Sequence, residues 1–267
     1  MDKILLSKLI LWIATIGITT WLLTQRKINI KNRLGLLITG TLVFGFIYGQ
    51  LSPLNPNPMT MLTNLLLNIK GLPVPVPLQF SIIMLAGMLL LVVASNRSIC
   101  GWGCQLGLLQ DAIHRVPSKK INVSKQTTLW TRTAFLIAFV GLLFLSGLNL
   151  LGLLDPFAFF QLNITLVSGL GFLGIGVASV FFYRPWCRFL CPFGLVGLVA
   201  EQFSFYRPRI NEEACVNCMQ CVEACPTAAM KDFYEKNQFH NDCYSCGACI
   251  EACKVDALKW SRKNMEQ

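Results

Sequence analysis

Apolar residues in this chain fall in long charge-free runs, unlike the short periodic stripes of a soluble domain. A charge at the centre of a spanning helix costs about 2.5 to 3.5 kcal/mol, so apolar runs of about 20 residues delimit membrane crossings. Five spans are predicted: residues 9–24, 34–51, 78–95, 133–154 and 164–183. The first is short, and no A-x-A-like cleavage site follows it. The segment 52–77 carries Pro53, Pro56, Pro58, Pro73, Pro75 and Pro77, which exclude a continuous helix there. Residues 59–69, between those prolines, are expected as a short helix at the outer surface. Amphipathic helices lying in the interface are predicted over 105–116 and 193–205.

The apolar part contains a repeat. Arg97-x2-Cys100-x3-Cys104-x2-Gly107-Leu108 recurs as Arg184-x2-Cys187-x3-Cys191-x2-Gly194-Leu195. Each copy lies just past a span and follows a hairpin whose outward turn carries Asn-Pro (Asn55-Pro56 or Asn57-Pro58) or Asp-Pro (Asp155-Pro156). Two parallel hairpin repeats are expected to bring both cysteine pairs to the same inner membrane face. Residues at i and i+4 share a helix face. Cys100, Cys104, Cys187 and Cys191 are therefore candidate redox thiols, either as two dithiols or as one convergent metal or thiol site. Small buried residues at tight helix ends are the structural alternative.

From residue 207 the pattern changes. CVNCMQCVEACP and CYSCGACIEAC are two C-x2-C-x2-C-x3-C runs holding eight of the twelve cysteines. This is the bacterial ferredoxin spacing for two 4Fe-4S clusters, in which the fourth Cys of each run ligates the other cluster. Cys215, Cys218, Cys221 and Cys253 are assigned to the first cluster, and Cys243, Cys246, Cys249 and Cys225 to the second. The runs are themselves a repeat, since Val222-Glu-Ala-Cys225 returns as Ile250-Glu-Ala-Cys253. Lys254 stands where the second run would carry the counterpart of Pro226. Structural zinc uses C-x2-C spacing too, but eight cysteines in this double pattern favour iron–sulfur clusters.

Composition agrees with a membrane protein bearing a polar tail: 54% of residues are hydrophobic, 13% are charged and the mean hydropathy is +0.55. The net charge of +10 sits in loops beside the spans, where it sets topology. Arg26, Lys27, Lys31 and Arg33 follow the first span, and Arg97, Arg115, Lys119, Lys120, Lys125 and Arg132 follow the third. Those sides are read as cytoplasmic, which places the N-terminus outside and the cysteine-rich tail in the cytoplasm. With no basic groove or reading motif, nucleic acid is not an expected partner. His114 and His240 are the two histidines, too few for a pair of bis-histidine haems, and no C-x2-C is followed by His, so no haem is expected. Gly169-x-Gly171-x2-Gly174 fits the dinucleotide fingerprint but lies in an apolar span without a preceding strand. No nicotinamide cofactor is expected, and close packing of helix backbones is the reading for these glycines and for Gly45-x3-Gly49.

The combination of CGWGC and CRFLCP in a multispan domain with two ferredoxin runs resembles the NapH family of membrane quinol dehydrogenase subunits, over about residues 34 to 260. NosR-like and CcoG-like proteins belong to the broader group. Gln105 replaces the family's proline after Cys104, and the span at 9–24 is additional to the usual four. The resemblance implies oxidation of menaquinol or ubiquinol from the membrane quinone pool. Electrons would then pass through two 4Fe-4S clusters to a partner redox protein, ferredoxin-like or a cytochrome, at the inner membrane. A CcoG-like metal-reducing or assembly role is the alternative. Asp155, the acidic residue of the outer turn, is the candidate proton acceptor from quinol, with Asp111 and His114 as a rival pair. The expected fold is an all-α polytopic membrane domain of about five spans in two hairpin repeats, followed by a small α+β double 4Fe-4S ferredoxin domain. The expected divisions are an anchor and basic loop (1–33), the membrane domain (34–206) and the ferredoxin domain (207–267).

Overall fold

A computed structural model describes residues 3–28, 30–51, 57–74 and 76–262. The chain is mostly helical with one small sheet. Among the described residues, four helical segments are long and apolar enough to cross a membrane: Ser7–Thr24, Arg33–Leu51, Leu78–Ser95 and Lys125–Ser146. The helix Leu166–Phe181 is apolar but shorter. The helices are α1 (Lys3–Thr24), α2 (Ile30–Gly40), α3 (Pro58–Lys70), α4 (Leu78–Ser95), α5 (Gln105–His114), α6 (Lys125–Ser146), α7 (Leu166–Phe181) and α8 (Pro192–Glu201). A π-helical stretch, Thr41–Ile47, and a short turn of helix, Tyr48–Leu51, continue α2. The prolines at 53, 56 and 75 and the Asn55-Pro56 turn lie outside the described residues.

Helix ends follow local chemistry. Asn57 caps α3, accepting from the Thr60 amide at 2.8 Å, with Pro58 in the first turn. Gly71 and Gly147 end α3 and α6 in the left-handed conformation that lacks a penalty only for glycine. Lys70 donates to the carbonyls of Leu143 and Phe144 at the free end of α6, tying the C-terminal ends of α3 and α6 together.

One expected boundary is corrected. The fourth crossing, after α4, begins at Lys125, eight residues before the expected start at 133, and ends at Ser146. Arg132 looked like a boundary because a charge in the bilayer is costly, yet it is buried and paired within the protein. The segment 59–69 is helical as expected. Met59, Met61, Leu62, Thr63, Asn64 and Leu67 of α3 are all buried.

Helices α5 and α8 also differ from the interfacial helices expected. A Cβ on Gly45 would lie 3.3 Å from Gln105, and one on Gly40 would lie 2.7 Å from Leu108, while Asp111 reaches Arg33. Helix α5 therefore starts part-way along the crossing formed by α2 and runs back toward its Arg33 end. The preceding loop is as deep, because Trp12 in α1 donates to the Gly103 carbonyl at 3.0 Å. Phe193, at the start of α8, packs in one buried cluster with Met61 and Leu62 of α3. Each repeat thus dips into the helical domain from the Arg33 side and returns as a short helix. Irregular backbone is tolerated at such depth when it is enclosed by protein.

Glycines of α2 serve contact with a side chain and its backbone. A Cβ at Gly45 would lie 2.6 Å from the Phe160 ring, and one at Gly49 would lie 2.6 Å from the Phe160 carbonyl. Gly171 and Gly174 meet nothing within 4 Å, so the close helix packing expected of them is not found.

The C-terminal domain is closed by β1 (Tyr206–Ile210) and β2 (Leu258–Arg262), antiparallel with Tyr206 opposite Arg262 and Ile210 opposite Leu258. Its duplication is visible in the backbone. Left-handed residues occur in matched pairs, Asn217 with Ser245, Met219 with Gly247 and Ala228 with Asp256. The second copy has glycine opposite Met219 because Leu23 of α1 leaves no room: a Cβ there would lie 2.9 Å from it. Leu23, Ile28 and Trp102 share a buried cluster with Met230, Ile250, Leu258 and Trp260. Burying each large apolar side chain there contributes about 1.5 to 3 kcal/mol, which seats the domain on the helices.

Candidate metal centres

Seven of the eight ferredoxin cysteines fall into two groups. Cys225, Cys243, Cys246 and Cys249 line one cavity, walled by Tyr183, Pro208, Tyr244 and Trp260. Cys221 lies within electrostatic range of Cys215 and Cys253. Each group thus includes a cysteine from the other run. The geometry arises because each run wraps around left-handed residues, three cysteines in a tight loop, and delivers its last cysteine after one helical turn, Gln220–Glu223 or Ala248–Ala252. Met230 donates its amide to Cys225 Sγ at 3.4 Å, as thiolate ligands require of their surroundings.

The two groups face different ways. The Cys243 loop is held against the membrane domain: Asn96 Nδ2 donates to the Cys243 carbonyl at 3.3 Å, Trp102 Nε1 donates to the Ser245 carbonyl at 3.0 Å, and Arg33 hydrogen-bonds to Cys246 Sγ. Arg26 donates to the carbonyls of Ile250 and Cys253 at 3.0 and 2.7 Å. The other loop is open, with Cys218, Val216 and Met219 exposed.

One buried ionic centre joins the domains, and a second lies within the helical part. Asp242, next to Cys243, pairs with Arg97 and takes a bidentate contact from Arg132 at 2.6 and 3.1 Å. The two guanidiniums hold its carboxyl far below the usual range, opposing the cost of burial. Glu201, 3.4 Å from Arg97, is pushed well up by burial and by Asp242, and accepts from the Cys243 amide. The second centre is Asp111, bound by Arg33, by Arg184 at 3.0 Å and by Tyr183 at 3.1 Å. Despite burial, the arginines hold it down at about 2, so it stays ionised and neither takes nor releases a proton near neutrality. His114 hydrogen-bonds to the Ser179 carbonyl at 3.0 Å, and burial lowers its affinity for a proton. Both members of that rival pair are occupied by structural contacts.

Of these partners, Arg33, Arg132, Tyr183, Tyr244, Glu201 and Asp242 were not singled out as site residues by sequence reasoning. The available signal was charge at the very edges of apolar runs.

Asp155 stands at the opposite end. Its Oδ1 accepts from the Phe157 amide at 2.9 Å in a tight turn, and burial raises its carboxyl. The four remaining cysteines meet inside the helical domain. Cys100 and Cys187 lie on the π-helical turns Ile99–Gly103 and Trp186–Leu190, and Cys104 and Cys191 are the N-caps of α5 and α8.

Known sequences agree with this division. A 4Fe-4S dicluster domain family matches residues 207–254, and a 4Fe-4S binding domain family matches twice, over 77–124 and 164–206. The chain is 28% identical over 149 residues to the ferredoxin-type protein NapH of Haemophilus influenzae, covering 53% of this chain and 51% of the relative. The chain is thus similar to membrane proteins of the ferredoxin type such as NapH. Similarity to the methylamine utilization ferredoxin-type protein MauN of Methylorubrum extorquens is 28% over 150 residues, 52% of this chain and 50% of that protein. The putative electron transport protein YccM of Escherichia coli is 25% identical over 192 residues, 64% of this chain and 52% of YccM. The chain spans about half the length of the curated relatives it matches. No solved structure matches it.

Proposed function

We propose that this NapH-like protein is a quinol dehydrogenase subunit, oxidising menaquinol or ubiquinol and delivering electrons to a ferredoxin-like or cytochrome partner. The observation that carries this reading is the polarity of the ferredoxin domain, with the Cys243 loop clamped to the membrane helices and the other loop presenting Cys218 to solvent. Two 4Fe-4S clusters bound there would supply one-electron steps between a two-electron donor in the bilayer and a soluble acceptor. Cys243, Cys246, Cys249 and Cys225 would hold the inward cluster. Cys215, Cys218, Cys221 and Cys253 would hold the outward one, beside the exposed Val216 and Met219 where a partner would dock. Arg26, Lys125 and the ferredoxin domain lie together, and basic residues favour the cytoplasmic side of the inner membrane.

The test is anaerobic addition of menaquinol or ubiquinol to the purified protein, read by EPR. Reduction that a quinone-site inhibitor blocks is the expected result; clusters reducible by dithionite but not by either quinol would sink the proposal. Asp155→Asn keeps the turn, since the amide oxygen also accepts from Phe157, but removes the titrating group. If Asp155 takes the quinol proton, this variant slows quinol-dependent reduction by roughly 100-fold or more. The wild-type rate would also fall as pH drops through the raised carboxyl value, because only the ionised form accepts a proton. An unchanged rate removes Asp155 from the mechanism.

A metal-reducing role is the second reading, favoured by the four thiols inside the membrane domain. Copper-dependent oxidation of reduced clusters without quinol turnover would select it.

A further inference from the structure

We propose that Cys100, Cys104, Cys187 and Cys191 are the four ligands of one further iron–sulfur centre, shared between the two membrane repeats. The 4Fe-4S binding domain family matches each repeat separately, yet each matched stretch contains only two cysteines. Each iron in a cubane wants one protein thiolate, so neither repeat can hold a cluster alone. The fold supplies the missing half. The four sulfurs lie within electrostatic range of one another, Cys191 sensing Cys187, Cys100 and Cys104 together, and all are enclosed by the buried helical core.

The surroundings suit a bound anionic centre. Cys104 and Cys191 begin α5 and α8, placing two helix N-termini, the positive ends of their dipoles, at the site. Arg97 and Arg184, which precede the two motifs in matching left-handed conformations, are fully buried there. Arg184 crosses between repeats to donate to the Cys100 carbonyl at 2.7 Å. Gln110 Nε2 lies 3.5 Å from Cys187 Sγ, the outer hydrogen bond that ligand sulfurs take. The buried amide of Gln105, next to Cys104, has no hydrogen-bond partner among the described residues.

Glycines keep this packing tight. A Cβ at Gly107 would lie 2.7 Å from the Cys100 carbonyl, and one at Gly194 would lie 2.5 Å from the Cys187 carbonyl. The same relation in both repeats folds each short helix back over its own motif.

Four thiolates, two from each repeat, match the ligand number of one iron–sulfur centre. Proximity to the inward ferredoxin group agrees with a redox role. Gly101, between Cys100 and Cys104, abuts the Tyr244 carbonyl, between Cys243 and Cys246. The Tyr244 ring shares a buried cluster with Cys100 and Cys187. On binding, each thiol releases its proton and becomes a ligand.

The inference is independent of the electron donor, because it is read without turnover. Iron and acid-labile sulfide are counted in the anaerobically purified full chain, with Mössbauer spectra of protein grown on 57Fe. The expected result is iron above the roughly eight atoms that two cubanes hold, with a spectral component beyond theirs. The Cys104→Ser/Cys191→Ser variant should lose that excess and that component while keeping both ferredoxin EPR signals. About eight irons in wild-type protein with full ferredoxin signals would overturn the proposal, as would stoichiometric zinc lost on the double substitution. If the variant does not accumulate, the wild-type Mössbauer component and iron count decide alone.

Discussion

Asp242→Ala should loosen the ferredoxin domain from the helices at a cost of about 3 to 5 kcal/mol, the range for removing one partner of a buried ion pair. Arg97 and Arg132 would be left facing each other, fully buried, without their shared carboxylate. The neighbouring Glu201, 3.4 Å from Arg97, already accepts from the Cys243 amide, and among the described residues no ion pair joins it to Arg132. The readouts are the thermal midpoint in detergent and protease cleavage of the 202–206 connection, which should quicken as the domain swings free. At the periphery, Lys125→Ala breaks a partly exposed contact with Asp232 at 3.5 Å and should cost at most about 1 kcal/mol. Equal effects of the two substitutions would show that the buried network does not hold the domain. Acid should mimic Asp242→Ala. Asp242 and Asp111 have folded-state values below their unfolded ones, so their stabilisation is complete above the unfolded value of about 4. For Asp111, within the helical part, it is lost as pH falls through about 2; docking, which rests on Asp242, should be flat from neutrality to about pH 5 and fail only below.

Single ligand substitutions should show which cysteines share a cluster. Cys225→Ser and Cys243→Ser, far apart in sequence, are expected to abolish the same EPR signal and leave the same survivor, each with a loss of about four irons. Cys253→Ser and Cys215→Ser should leave the complementary signal. The reason is that Cys225 lines the cavity of Cys243, Cys246 and Cys249, while Cys253 lies near Cys221. The surviving signal in the first pair comes from the exposed group and should be quenched by a hydrophilic oxidant; the survivor in the second should resist it. If Cys225→Ser instead matched Cys215→Ser, the ligands would not cross between runs.

Much of the architecture was legible because it depends on neighbours in the chain. A charge-free run announces a span whatever surrounds it, and C-x2-C-x2-C-x3-C dictates how a loop presents sulfur. The spans at 78–95 and the ferredoxin sheet and loops therefore agree with expectation. Both repeats, read as recurring letters, reappear as recurring left-handed residues, Arg97 with Arg184 and Met219 with Gly247.

What the sequence determined alone was where the apolar runs lie, the cysteine runs and the duplications, since each is a property of spacing or local hydropathy. Tertiary structure decided the rest. Arg132 lies inside a helix because its counter-charge, Asp242, is 110 residues away, and no local average registers a partner at that distance. The C-x3-C turns enter the helical core because the arginine of one repeat satisfies the carbonyls of the other. Four cysteines become one site because two short helices, each unable to bury itself, start from the same enclosed point. Burial of charge and of irregular backbone is permitted only by partners, and partners are chosen by packing.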